Sequence, residues 1–231
     1  MKVIDPHLEV EARLFADGVT FVGAMDEVGR GSAFGPCSVG LVLLDAHAGA
    51  FPVGLRDSKL LSESAREQLV APLFTWVSDF AVGHASAAEI DEFGLTAALR
   101  LAGHRALHEV SLRPDVLLLD GRHDWLSPPS QGSLSGPVYP IVVVPPVRTI
   151  VKGDLTCASV AAASVLAKVA RDHLVRDLAR QFPGYDVENN KGYVTATHAA
   201  ALRRLGPSLH HRVSWNLPAH DMTATTTLGL A

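Results

Sequence analysis

Two short apolar runs in this chain each close on an acid. Residues 18–26 end Ala24-Met25-Asp26 and pass straight into Glu27, and residues 115–120 end Leu118-Leu119-Asp120. The first reads as a strand that ends at carboxylates, the second as a buried central strand. A carboxylate at the end of a buried strand is costly unless it is paired or reaches water. If two such strand ends converge, something must compensate their charge.

The rest of the pattern supplies what would pack against those strands. Residues 37–44, ending Val42-Leu43-Leu44, read as another strand, and residues 138–152 carry strand character again. Ser86 and Glu89 have capping-box spacing, and Leu95, Leu99, Ala102, Ala106 and Val110 fall on one helical face beyond them. Residues 157–181 are alanine-rich and contain neither Gly nor Pro, which predicts a long helix whose small side chains let it lie close to a sheet. A further helix fits Thr195–Leu205, with Gly206 as its stop and Pro207 beyond. Residues 121–137 are rich in Pro, Gly and Ser and read as a loop. The order of strands, helix, strand, loop, strands and helices predicts an α/β core with a mixed sheet and a helical C-terminal part. We expect an N-terminal extension over 1–17, one main domain over 18–218, and a disordered tail over 219–231, which is small, polar and threonine-rich.

Composition excludes several classes. The chain has 231 residues, 48% of them hydrophobic and 19% charged, which suits a packed core and not a disordered polymer. No apolar run approaches the ~20 residues that a membrane helix needs. The first fifteen residues hold Asp5, Glu9 and Glu11 and do not read as a secretory signal. Cys37 and Cys157 have no metal-ligand spacing and read as small buried residues in a reducing, cytoplasmic compartment. The net charge is −4, but residues 147–216 carry ten Lys/Arg against five Asp/Glu, a balance of +5 where the remainder has −9. A positive face on an acidic protein can bind phosphates, although such a difference is also ordinary scatter.

Four acids stand at strand ends or in loops: Asp26, Glu27, Asp120 and Asp154, the last in Val151-Lys152-Gly153-Asp154. Any one alone reads as a turn or cap residue. Converged, they would repel each other and raise one another's pKa values unless a cation sat among them. Mg²⁺ and Mn²⁺ prefer such hard oxygen donors, and two ions about 3.5–4 Å apart suit phosphodiester cleavage. Asp26 and Glu27 are neighbours, so in a regular strand they face opposite ways. Both reach one centre only if the strand ends or bulges there, or if one acts through its carbonyl. Gly29, Gly31 and Gly35 do not form a dinucleotide loop, because three residues and not two separate the last pair. They suit close approach of backbone to a ligand, and Arg30 suits a phosphate.

Six segments in order resemble the ribonuclease HII family, and bacterial, actinobacterial members most. They are Asp26-Glu27-Val28-Gly29-Arg30-Gly31, Asp57-Ser58-Lys59, Asp120-Gly121, Lys152-Gly153-Asp154, the helix segment Ala161–Asp172, and Lys191-Gly192-Tyr193-Val194-Thr195. The resemblance spans roughly residues 20–216. It implies a ribonuclease H-like α/β fold with a mixed central sheet flanked by helices, and an endonuclease (EC 3.1.26.4) cutting the RNA strand of RNA–DNA hybrids. It implies cleavage 5′ to single ribonucleotides in duplex DNA, with 5′-phosphate and 3′-hydroxyl ends, in ribonucleotide excision repair and primer removal. By the same resemblance Asp26, Glu27, Asp120 and Asp154 hold Mn²⁺ or Mg²⁺, two ions during catalysis. Gly29, Arg30 and Gly31 read the ribose 2′-OH through the backbone, and Tyr193 stacks or hydrogen-bonds at the junction sugar. Lys59 and Lys168 lie near the nucleic-acid backbone. A 2′-OH is what distinguishes RNA from DNA at one position, and glycine permits the approach.

Asp172 reads as a structural or outer acid and Asp57 as a hydrogen-bonding loop residue. His210 and His211 read as a solvated pair, with a proton shuttle or phosphate contact as the other reading. Two departures from the family pattern stand out. Asp120 and Asp154 are 34 residues apart, a long spacing whose excess lies in the Pro/Gly/Ser-rich loop, and Val194 stands where proline is common. Two other functions fit parts of the pattern. A non-catalytic hybrid-binding module would use the basic C-terminal half without its acids. Ribonuclease HIII would carry an additional N-terminal domain, for which the residues before Asp26 are too few. Nothing in the sequence requires more than a monomer.

Overall fold

Alternation of side chains along the strands sets the layers of this protein. In the computed structural model, which describes residues 5–128, 136–140 and 142–218, five strands form one sheet. They are β1 (Val22–Val28), β2 (Cys37–Leu44), β3 (Asp79–Ala85), β4 (Val116–Asp120) and β5 (Val147–Ile150), in the order β3-β2-β1-β4-β5. β2 is antiparallel to both β1 and β3, whereas β4 is parallel to both β1 and β5. The helices are α1 (Glu9–Ala16), α2 (Glu63–Trp76), α3 (Ala87–Phe93), α4 (Leu95–Glu109), α5 (Gly153–Thr156), α6 (Ala158–Gln181), α7 (Val187–Asn190) and α8 (Ala196–Leu205). This is the mixed-sheet α/β architecture, with a helical C-terminal part, that the sequence predicts.

The two sheet faces bury separate sets of residues, as period-two alternation requires. Val22, Ala24, Val42, Leu44, Val116 and Leu118 pack with α6 on one side. Met25, Val39, Leu41, Leu43, Leu117 and Leu119 pack with Leu99, Ala102 and Ala106 of α4 on the other. A third cluster, with Phe34, Val175, Tyr185 and Leu202, ties the β1–β2 loop to the C-terminal helices. Helix α6 lies as close to the sheet as its small residues allow: a Cβ on Gly40 of β2 would meet the Ala163 backbone carbonyl, with the Ala167 Cβ 3.0 Å away. The first turn of α6 is held by a distant acid. Buried Glu11 of α1 accepts from the Ser159 N–H at 3.0 Å and from its hydroxyl at 2.5 Å, a negative charge at a helix N-terminus.

Several elements differ from the sequence reading. β1 continues two residues past Asp26. The strand expected over 138–152 is confined to Val147–Ile150, because Pro140, Pro145 and Pro146 cannot donate to a ladder. Gly94, at φ 79°, separates α3 from α4, while Ser86 and Glu89 do form the capping box. α2 was not anticipated, since Pro72 interrupts its pattern, although Leu69, Leu73 and Trp76 are buried at helical spacing. β3 was also missed; it presents Ala81, Gly83 and Ala85 inward, too small to register as an apolar strand. Residues 129–135 of the expected loop and the expected tail 219–231 lie outside the described residues.

Gly40→Ala is expected to push α6 off the sheet and cost about 1–3 kcal/mol. Urea unfolding measures it; an unchanged midpoint would mean that the helix–sheet gap accommodates a methyl.

Candidate active site

Parallel pairing of β1 and β4 brings two of the acids level. Met25 pairs with Leu119, the last rung of that ladder, so Asp26 and Asp120 follow side by side where the two strands part. Alternation turns both towards the α6 face. Asp26 is only 4% exposed. One of its oxygens accepts the Glu27 N–H at 2.9 Å. Burial raises its pKa well above the ordinary carboxylate value; Glu27, Asp120 and Asp154 push the same way, against Lys59. Asp120 is raised too, by burial and then by Asp154, with the Gly153 N–H opposing. That N–H donates to Asp120 at 2.7 Å. Lys152 turns the chain there in a left-handed conformation, φ 60°, which sets Asp154 in the first turn of α5 beside Asp120.

β1 has no bulge between Asp26 and Glu27. Glu27 pairs with Val39 in regular register, and the strand ends only after Val28. Glu27 therefore leaves the opposite face and bends to the cleft. One oxygen meets Arg30 at 2.8 Å, and the other is buried with no hydrogen-bond partner. Asp154 is held by the Lys59 ammonium at 2.9 Å, with Asp57 3.7 Å from the same nitrogen. Asp57 also accepts the Lys59 N–H, as a hydrogen-bonding loop residue would.

These groups share one cleft of about 230 Å³, lined by Asp26, Glu27, Asp120, the 28–31 turn, Ser58, Lys59, Lys168 and Tyr193. Nine of the ten residues singled out from sequence line it, and Asp154 joins through Lys59 and Asp120. Lys59 is mostly exposed, whereas Lys168 is turned inward onto Asp172, 2.6 Å from both carboxylate oxygens. Tyr193 is 43% exposed, and its ring edge lies 3.7 Å from where a Gly31 Cβ would be. Gly29, at φ 82°, has both a left-handed backbone and the Arg171 guanidinium against it; Gly31 has neither constraint.

The sequence reading missed what holds this cleft from beneath. Arg171 and Arg212 are fully buried and bond backbone carbonyls of the 29–36 loop. His211, expected in a solvated pair, is also buried. Its Nε2 lies 3.0 Å from His198 Nε2 and its Nδ1 2.9 Å from the Ser208 N–H, and burial followed by His198 lowers its pKa to about 4. His198 in turn bonds the Tyr193 carbonyl at 3.0 Å. Arg171 falls in the Ala161–Asp172 segment that carries the family resemblance, but nothing local in the sequence signals that Arg171, Arg212 or His211 is buried.

The model of the family described as ribonuclease HII matches residues 23–217. The chain belongs to the ribonuclease HII family. It is 44% identical over 198 residues to the ribonuclease HII of Streptomyces coelicolor, covering 86% of this chain and 78% of the relative. In fold it is similar to ribonuclease H2 from Pyrococcus horikoshii, with TM-score 0.67, 22% identity, and coverage of 86% of this chain and 95% of that one. It is also similar to Bst-RNase HIII, solved in complex with Mn²⁺, with TM-score 0.57, 20% identity, and coverage of 81% and 63%. The chain is thus a ribonuclease H, an endonuclease of the type that acts on RNA–DNA hybrids, in a family that depends on divalent metal.

The ribonuclease HII residues present fit a hard divalent cation. The donors are carboxylate oxygens, one of them the buried, unpartnered Glu27 Oε2. Among the described residues no three acidic, His or Cys side chains stand close enough to hold an ion as they are; Arg30 and Lys59 occupy Glu27 and Asp154 instead.

Asp26 makes a testable electrostatic statement. Its folded-state pKa lies above the unfolded value near 3.8, so the native state binds this proton more tightly. Stability from this group is then greatest at low pH and is lost as pH rises through the folded pKa. Asp26→Asn is expected to melt at least about 2–4 °C higher than wild type at pH 7 in EDTA, the shift that about 1 kcal/mol produces at this size. The gap should narrow as Mg²⁺ or Mn²⁺ is added, because an ion drawn to the crowded carboxylates would stabilise wild type more than the variant, which has lost one of them. Equal melting temperatures in EDTA would show that Asp26 is not crowded.

Proposed function

We propose that this ribonuclease HII hydrolyses the RNA strand of hybrids and cuts 5′ to single ribonucleotides in duplex DNA, leaving 5′-phosphate and 3′-hydroxyl ends. The observation that carries the reading is the single cleft joining crowded acids to a glycine turn and Tyr193. Asp26, Glu27, Asp120 and Asp154 would hold a pair of Mg²⁺ or Mn²⁺ ions, in place of the Arg30 and Lys59 contacts. Such ions neutralise phosphate charge and make water a better nucleophile.

The chain's own residues would do the rest. Asp26 and Asp120 fix the positive centre at the end of β4. The Gly29–Gly31 turn places backbone donors beside the ribose, where a 2′-OH can meet them and a deoxyribose cannot. Tyr193 flanks that turn and would pack on the junction sugar. Lys59, mostly exposed, would meet the nucleic-acid backbone directly. Lys168, bound to Asp172, is the more shielded of the two and would act at the cleft wall. The catalytic domain would be residues 18–218, acting as a monomer in the cytoplasm in ribonucleotide and primer removal. Among the described residues no helix is long and apolar enough to cross a membrane.

Cleavage-site mapping on a DNA duplex with one ribonucleotide tests the reading. Wild type should cut at one position, 5′ to the ribonucleotide, and EDTA should abolish the cut. Asp26→Asn should lower the rate at least about 10³-fold, the scale of losing a main electrostatic group. Full activity of that variant would overturn the mechanism. Binding without divalent ion and without product would favour a hybrid-binding module.

A further inference from the structure

Two guanidinium groups lie under the Gly29–Pro36 loop, hydrogen-bonded to main-chain carbonyls and, among the described residues, to no side-chain acid. Arg212 donates to the carbonyls of Gly29 at 2.7 Å, Arg30 at 2.9 Å and Gly35 at 3.2 Å. Arg171 donates to those of Pro36 at 3.0 Å, Phe34 at 3.1 Å and Lys191 at 3.1 Å. Both side chains are fully buried. Among the described residues the nearest carboxylate to Arg171 is Asp172 at 4.0 Å, and Arg212 has none within that distance. Burying a charge is expensive, and six carbonyl dipoles, helped by Asp172 beside Arg171 and by the Trp215 ring on Arg212, stabilise the two cations.

The consequence lies on the other side of the loop. A trans peptide points its C=O and its N–H in opposite directions, and the described chain has no cis bond. The Gly29 carbonyl aimed at Arg212 therefore turns the Arg30 N–H away from it. The Arg30 carbonyl aimed at Arg212 does the same for the Gly31 N–H. The Ser32 N–H returns to the Gly29 carbonyl at 3.3 Å and closes the turn. Neither the Arg30 nor the Gly31 N–H donates to another described residue, and both residues line the cleft. Arg212 is itself held: its own N–H bonds the Ala33 carbonyl at 2.9 Å, and Trp215 stacks on its guanidinium at 4.7 Å. Asp91 of α3 fixes the next two N–H groups, of Val213 and Ser214.

We propose that Arg212, supported by Arg171, is a positioning residue for sugar selectivity, orienting the Arg30 and Gly31 peptide donors towards an acceptor oxygen on the ribose. The proposal rests on the ribose-sensing reading of the Gly29–Gly31 turn. Arg212 touches no substrate; it acts only through the peptide planes. A lysine keeps the charge and three donors, but all three leave a single nitrogen with no planar fork, so it cannot reproduce contacts that Arg212 makes from separate nitrogens to the Gly29, Arg30 and Gly35 carbonyls.

The test compares binding of a duplex with one ribonucleotide and of the same duplex in all-DNA form, by fluorescence anisotropy, with turnover blocked by Asp26→Asn. The blocked protein should prefer the ribonucleotide duplex. Adding Arg212→Lys should erode that preference about tenfold, the scale of one or two misaligned hydrogen bonds, with all-DNA affinity within about twofold. An unchanged preference, or two affinities falling in step, overturns the proposal and leaves the ribose-sensing reading standing. No preference in the blocked parent protein overturns both. If Arg212→Lys does not fold, Arg171→Lys and amide exchange on the parent protein decide. Exchange at Arg30 and Gly31 should be fast in the free protein and slowed by the ribonucleotide duplex but not the DNA one; equal slowing by both overturns the proposal.

Discussion

Crowding of like charge at the parting of β1 and β4 is the constraint around which this protein is organised. The ladder between parallel β1 and β4 ends level with Asp26 and Asp120, and a left-handed turn at Lys152 adds Asp154. Taken alone, the arrangement opposes folding, because burial and mutual repulsion both disfavour the charged forms. The protein tempers it with one ammonium, Lys59, and with backbone N–H groups at Asp26 and Asp120. Those contacts leave the centre under-neutralised, which is the condition under which a divalent cation gains most by entering.

Positive charge is distributed with a division of labour that a charge count cannot reveal. The basic surplus of residues 147–216 suggests a phosphate-binding face, yet two of its members, Arg171 and Arg212, are fully buried. They contribute to the cleft by aligning peptides and through their field, not by touching solvent. Lys168 is engaged by Asp172. Arg30 and Lys59 are the cations that remain largely exposed, paired to Glu27 and Asp154 of the cleft.

The C-terminal helices are part of the same machine. Phe34 leaves the β1–β2 loop to sit among Val175, Tyr185 and Leu202, and Gly192 accepts from the Ala33 and Phe34 N–H groups at 2.9 and 3.2 Å. The loop that faces the cleft is thereby clasped from the far end of the chain. Tyr193 is fixed by the next links of that clasp, the His198–His211 pair. Removing the C-terminal part would release the turn as well as the tyrosine.

Much of this was legible in the amino-acid order. The apolar runs that close on acids, the alanine-rich helix and the Gly29–Gly31 turn carry their own local signals, because side-chain period and glycine content act over a few residues. The family followed from six short segments in order. The level meeting of Asp26 with Asp120, the unbroken strand through Glu27, and the burial of Arg171, Arg212 and His211 are different in kind. The first two depend on which strand pairs with which; the buried arginines depend mostly on carbonyls contributed by residues more than a hundred positions away, and His211 on His198 and Ser208. Local sequence determined the elements and the chemistry available at their ends; only the tertiary structure decided the direction in which the peptides and cations of the cleft point, because hydrogen bonds between distant segments set that direction.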